Sequence, residues 1–135
     1  MRIVIDCNVL VSAAISSGGA CRQVLDRVIR FHEWYFSKQT LEEYVAVSRY
    51  AHLRKYRRKL DAIRDSMLKT GIEIEVRSGD PDLLPDPDDV IYLDIAFAVK
   101  ADLLITGNRK HFPQYTYRGV RILSPREFLD LDAHV

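Results

Sequence analysis

Short, continuously apolar runs that end on a polar residue set the tightest limit on how this chain can fold. Ile3-Val4-Ile5 runs straight into Asp6, and Leu103-Leu104-Ile105 runs into Thr106 and Gly107. A strand without polar alternation must be covered on both faces, the condition of a parallel strand between helices. Glu33 to Phe36, the alternating Ile72 to Val76, and Val120 to Leu123 read as further strands. Helical patterns separate them. One runs through Ala20, Val24, Leu25, Val28 and Ile29 after the break at Ser16-Ser17-Gly18-Gly19, and another starts at Ser37 to Thr40 and carries Leu41, Tyr44, Val45 and Val47. A third spans Arg49 to Lys69, with Leu53, Tyr56, Leu60, Ile63 and Met67 on one side, and Gly71 stops it. Asp86-Pro87 reads as an N-cap and first-turn proline for a helix running through Val99. Ser124-Pro125-Arg126-Glu127 reads as a capping box. Strands alternating with helices predict a layered α/β fold with a mainly parallel sheet. With 135 residues and no repeat, low-complexity segment or linker, one domain over residues 1–135 is expected.

Charge in bulk says little about partners, because 20 Lys and Arg nearly balance 19 Asp and Glu, for a net +1. Only its distribution is informative. Cys7 and Cys21 are too few for a disulfide framework and read as free thiols of a reducing compartment. Neither a secretory leader nor an apolar run of about 18 residues is visible, so a cytoplasmic protein without membrane contact is expected.

In open parallel sheets, sites form beyond the carboxyl ends of strands. Asp6-Cys7-Asn8 and Thr106-Gly107-Asn108 both stand at such ends. Asp6 there serves either as a helix N-cap or, with the side-chain oxygen of Asn8 following, as part of a metal site. Asp88 and Asp89 fall in a first helical turn, where acids favour the helix dipole. Asp94 is the one charge within Val90 to Val99, and a buried carboxylate is costly unless paired or coordinated. It projects about 140° from Asp89 on an ideal helix, so hydrogen bonding to a neighbouring element suits it better than sharing a ligand with Asp89. Glu42 and Glu43 form an acidic pair whose spacing promotes neither over the other.

Together these motifs resemble the PIN-domain family, and within it the VapC-like toxin components of toxin–antitoxin pairs. Nearly the whole chain takes part: Ile3 to Ala13, Leu41-Glu42-Glu43-Tyr44, Asp86-Pro87-Asp88-Asp89 with Leu93 and Ala96, and Ala101 to Asn108 with Lys110, His111, Phe112 and Pro113. The resemblance implies a three-layer α/β/α sandwich and a divalent-metal-dependent endoribonuclease, the toxin of a type II pair with a cognate antitoxin, as a homodimer. It also implies cleavage to a 5′-phosphate and a 3′-hydroxyl. Carried over by position, Asp6, Glu43 and Asp89 are the three acids that hold metal, and Asn108 takes a fourth catalytic position where many relatives have Asp. His111 fills another position that is commonly acidic. Asn8, Asp94 and Thr106 are expected to support the site.

Hard oxygen donors without sulfur suit Mg²⁺ or Mn²⁺. An acidic pocket repels RNA, so cations must grip the backbone elsewhere. Arg54, Lys55, Arg57 and Arg58 are the chief candidates, with Arg49, Lys59 and Arg64 nearby. The same stretch reads equally as a solvated face, or as a place for an antitoxin segment over Tyr50, Leu53 and Tyr56. His32, His52 and His134 read as structural or solvent-facing. Phosphatases of the haloacid-dehalogenase type would want an Asp where Asn8 stands, and receiver domains would want a lysine where the last strand offers Arg121. The remaining alternative is a catalytically decayed PIN domain that binds RNA or protein, which the Asn108 departure keeps open.

Overall fold

A computed structural model describes residues 1–133 of the chain. Its sheet comprises β1 (Arg2–Ile5), β2 (Glu33–Phe36), β3 (Ile72–Glu73), β4 (Leu103–Ile105), β5 (Thr116–Tyr117) and β6 (Val120–Leu123), in the order β3-β2-β1-β4-β6-β5. Every pairing is parallel except β5 with β6. The helices are α1 (Cys7–Ile15), α2 (Ala20–Phe31), α3 (Lys38–Ser48), α4 (Arg57–Thr70), α5 (Val90–Val99) and α6 (Pro125–Asp132). Ile3, Val4 and Ile5 on β1 and Leu103, Leu104 and Ile105 on β4 are all buried. Successive strand residues face opposite ways, so both faces of the central pair are covered and the layers number three. The strand order leaves β1 in one direction through β2 and β3, and in the other through β4 and β6. The reversal between β1 and β4 is where such sheets open a crevice at the strand ends.

The caps expected from sequence are present. Ser37 caps α3, accepting from the Thr40 N–H at 3.3 Å, and Ser124 with Glu127 forms the capping box of α6. Asp86 accepts from the Asp88 N–H at 2.9 Å and starts a 3-10 turn, Pro87–Asp89, that leads into α5.

Four stretches differ from the sequence expectation. Residues 7–15, to which periodicity assigns no element, form α1, because its exposed stripe of Asn8, Ser12 and Ile15 carries only two polar residues and leaves a weak amphipathic signature. The basic stretch is not one helix: Ala51–Tyr56 is a 3-10 turn entered through an extended Tyr50, and α4 starts only at Arg57. Tyr50, Leu53 and Tyr56 recur every three residues, which is the 3-10 period. The expected strand over residues 72–76 ends at Glu73, with one further backbone bond from the Ile74 N–H to the Phe36 carbonyl at 2.9 Å. Its edge position leaves Ile72 exposed and gives little reason to prolong the pairing. The hairpin β5–β6 is absent from the sequence expectation. It turns through Arg118 and Gly119, both at positive φ (48° and 85°), the conformation of a two-residue type I′ turn.

At the far end of the chain, α6 is fastened to α2 by a buried carboxylate. Asp132 accepts from Arg27 Nε at 2.7 Å and lies 2.9 Å from His32 Nε2. His32 is therefore structural, as its sequence setting implied; His134 lies outside the described residues. Burial alone would raise the Asp132 pKa, but Arg27 and His32 outweigh it and hold the group below the ordinary carboxylate range. Stability from this group is thus present above the unfolded carboxylate range and lost as pH falls through the lowered value. Asp132→Ala should cost about 3 kcal/mol in urea unfolding at neutral pH. The penalty should shrink as pH falls below the ordinary carboxylate range, where the wild type loses the same interaction.

Candidate functional site

Asp6 leaves β1 directly into the first turn of α1 and is 5% exposed. Its two oxygens are used differently. Oδ1 takes the Asn8 N–H at a long 3.4 Å, the N-cap role, while Oδ2 accepts from Thr106 Oγ1 at 2.8 Å. Thr106, fully buried at the end of β4, in turn accepts from the Asn108 N–H at 3.1 Å. Asn8 braces the same two strand ends, its Oδ1 accepting from the Gly107 N–H at 3.2 Å. The capping and site readings of Asp6 are therefore compatible, one on each oxygen.

The acidic pair on α3 is resolved by the helix's rotation. Glu42 is exposed beside Lys38, whereas Glu43 is half-buried and accepts from the Tyr92 hydroxyl at 2.7 Å. That hydroxyl also accepts from the Cys7 N–H at 3.2 Å, which joins the start of α1 to Glu43 through α5. Burial first, and then the surrounding carboxylates, push the Tyr92 pKa well above its ordinary value, so it stays a donor. The sequence offers no sign of Tyr92, which sits unmarked inside the apolar run Val90-Ile91-Tyr92-Leu93.

Asp89 ends the 3-10 turn before α5, with its side chain 16% exposed. Its Oδ2 is buried without a hydrogen-bond partner, although His111 Nδ1 stands 3.1 Å away. That contact has the distance of an ion pair but not the direction of a hydrogen bond. Burial pushes the Asp89 pKa up to about 6; the charge of His111 opposes this, while Asp6, Asp86 and Glu43 add to it. Burial also raises Asp6, against the Thr106 and Asn8 hydrogen bonds, with Glu43 adding to the rise. The mutual repulsion marks the three acids as neighbours.

Asp6, Glu43, Asp89 and His111 line one cavity of about 350 Å³, together with Cys7, Asn8 and Val47. Burial, then Glu43 and Asp6, push the Cys7 thiol up, so it contributes no thiolate. Two expected residues face elsewhere. Asn108 Oδ1 accepts from the Lys110 N–H at 3.2 Å and caps the 3-10 turn Arg109–His111, which swings His111 into the cavity. Asp94 is only half-buried and accepts from the Gly79 N–H at 3.2 Å, in an adjoining hollow of about 450 Å³ that it shares with Glu43. It supports the loop next to the site, as its angular offset from Asp89 suggested.

Within the basic stretch, Arg49 and Arg64 are partly neutralised by Asp61 at 3.6 and 3.5 Å, and Arg64 also meets Asp65. Among the described residues Arg54, Lys55, Arg57 and Arg58 have no acidic partner, and all but the half-buried Arg57 are exposed. Leu53 is buried and Tyr56 half-buried, so of the three apolar positions on this stretch only Tyr50 is open.

A raised Asp89 pKa makes stability depend on pH. The folded chain holds that proton more tightly than the unfolded chain, so stability falls as pH climbs from about 4 through about 6. With metals chelated, Asp89→Asn and wild type should melt together near pH 4, and the variant should melt higher above about pH 7. A gap in Tm that does not change with pH would contradict the raised pKa.

The PIN-domain family model matches residues 2–110. No curated protein matches the chain. Among solved structures, one chain of the crystal structure of VapBC2 from Rickettsia felis bound to a DNA fragment from their promoter is similar, with a TM-score of 0.63. The two are 17% identical, and the likeness covers 92% of this chain and 98% of that one, which makes it a likeness of fold. The family match takes in every acid lining the cavity as well as the β1–β4 switch that gathers them, and on that ground the chain belongs to the PIN-domain family.

Proposed function

We propose that the chain is a divalent-metal-dependent endoribonuclease, the toxin of a type II toxin–antitoxin pair. The observation that carries this reading is the convergence of Asp6, Glu43 and Asp89, from three separate elements, on one cavity at the strand ends. The buried, unpartnered Asp89 Oδ2 supports a cation there, because such an oxygen is costly unless something satisfies it. As they stand among the described residues, no three of His, Cys, Asp and Glu are close enough to ligate one ion directly. The donor set therefore fits a hydrated hard ion, Mg²⁺ or Mn²⁺, which keeps several waters and takes few carboxylates.

Asp6 and Asp89 would hold this ion, directly or through water, and Glu43 would be a further ligand or would orient the attacking water. Such a cation supplies charge that offsets the negative charge building on the phosphoryl oxygens. Thr106 fixes the Asp6 carboxylate by donating to Oδ2, and Tyr92 fixes Glu43 in the same way. Water attacks phosphorus in line, the bond to the 3′ oxygen breaks, and the products carry a 5′-phosphate and a 3′-hydroxyl. Arg54, Lys55, Arg57 and Arg58 would bind RNA phosphates outside the acidic cavity. A cognate antitoxin is proposed as partner on the resemblance to VapC-like proteins and on the VapBC2 complex to which the similar fold belongs. A homodimer is proposed on the resemblance alone.

Antitoxin-free protein with Mg²⁺ or Mn²⁺ should cut RNA. Asp6→Asn and Asp89→Asn should each lower the rate by at least about 100-fold, with loss of activity on chelation. Intact tRNA, rRNA and mRNA under both metals would favour the decayed, binding-only reading instead. Reversing charge at Arg54 or Arg58 should weaken RNA affinity and reduce its salt slope by about one for each phosphate no longer neutralised. An unchanged slope would assign those residues to a solvated face.

A further inference from the structure

His111 enters the cavity from a turn that the Asn108 cap holds in place, and it is the only nitrogen-bearing side chain besides Asn8 on the cavity wall among the described residues. Its Nδ1 lies 3.1 Å from Asp89 Oδ2, an oxygen to which no described donor is directed. Two groups at that distance would normally swing into a hydrogen bond. Here neither does. Two adjacent ligands on an octahedral ion with bonds of about 2.1 Å stand about 3.0 Å apart, close to the separation observed. The ring is 44% exposed and Nε2 has no protein partner among the described residues, so that nitrogen is free to carry the ring proton and leave the Nδ1 lone pair available.

We propose that His111 Nδ1 and Asp89 Oδ2 are adjacent ligands of the ion held in this cavity, which makes the site selective for a first-row transition ion such as Mn²⁺ over Mg²⁺. The inference rests on the metal reading of the site proposed above. Imidazole suits borderline and transition cations, whereas Mg²⁺ prefers oxygen throughout. Thr106 and Tyr92 already bind Asp6 Oδ2 and Glu43 Oε1, which leaves Asp6 and Glu43 suited to contact the ion's waters. Relative to an all-carboxylate site, replacing an acid by His111 removes one negative charge. It thus removes much of what attracts Mg²⁺, while adding a ligand that Mg²⁺ uses poorly.

The test is metal binding to chelator-stripped protein, read by calorimetry and by pulsed EPR of the Mn²⁺ complex. Wild type should bind Mn²⁺ at least about 10-fold more tightly than Mg²⁺ and should show nitrogen coupling from a histidine ring. In His111→Ala that coupling should vanish and Mn²⁺ affinity should fall about 10-fold or more, with Mg²⁺ affinity changed by less than about 3-fold. The EPR measurement on wild type needs no variant, so a folding defect cannot mask the answer. Absence of nitrogen coupling, with an unchanged Mn²⁺ to Mg²⁺ ratio in His111→Ala and weakened Mn²⁺ binding in Asp89→Asn, would overturn the role of His111 and leave the metal site standing. Mn²⁺ binding unaffected by both Asp6→Asn and Asp89→Asn would overturn the metal reading, and this inference with it.

Discussion

A carboxylate buried at a strand end, Asp6, is what the architecture of this site depends on. At 5% exposure it would be costly in the fold without partners. Its partners come from two directions, the first turn of α1 through the Asn8 N–H and the end of β4 through the Thr106 hydroxyl. The first is a local helix cap; the second exists only because β1 and β4 are parallel neighbours with their carboxyl ends level, as the pairing of Ile5 with Ile105 fixes. A Val in place of Thr106 would keep the volume and strand propensity but leave Asp6 Oδ2 without its donor. The same hydroxyl also receives the Asn108 N–H, so the turn that carries His111 is set by the group that satisfies Asp6.

The other acids are assembled at a cost to the fold. Burial together with neighbouring negative charge raises both Asp6 and Asp89, and a carboxylate pushed up to about 6 destabilises the folded chain at neutral pH. Nothing in core packing calls for such an arrangement. The fold tolerates it because each carboxylate has a fixed neighbour: Thr106 for Asp6, Tyr92 for Glu43, and the off-line His111 for Asp89. The third contact is the least satisfied of the three. Local violations of ordinary stability rules concentrate where a protein's chemistry is placed, and Asp89 is the clearest violation among the described residues.

How far the site could be read in the sequence follows from what each residue's position depends on. Asp6 and Thr106 were legible because an apolar run that stops on a polar group marks a strand end, and strand ends of parallel sheets share one edge. The choice of Glu43 over Glu42 turns on the rotation of α3 about its axis, which the spacing of two adjacent acids does not encode; family resemblance supplied it. Tyr92 was hidden because its ring packs as a core residue while its hydroxyl alone reaches the site. That Asn108 lies off the cavity wall and His111 on it has a similar reason. The Asn108 side-chain oxygen is taken up by the Lys110 N–H, and the turn it caps delivers the residue three positions later. In the fold, alternating and continuous strand patterns were legible, whereas α1 carried little periodic contrast and the break before α4 carried no glycine or proline.

The basic segment shows why separating charges in space matters for a site of this kind. Glu43 and Ser48 lie on one helix, and at about 1.5 Å per residue the chain has risen about 7.5 Å between them before the turn Ala51–Tyr56 begins. Arg54 and Lys55 lie in that turn and Arg58 at the start of α4, and none of them lines the cavity or the adjoining hollow that Glu43 borders. Closer cations would pair with Glu43 and Asp89 and quench them, as Asp61 does to Arg49 and Arg64 in the opposite sense. The break at the extended Tyr50 ends the course of α3 after its acids and before Arg54, Lys55 and Arg58, which have no acidic partner among the described residues.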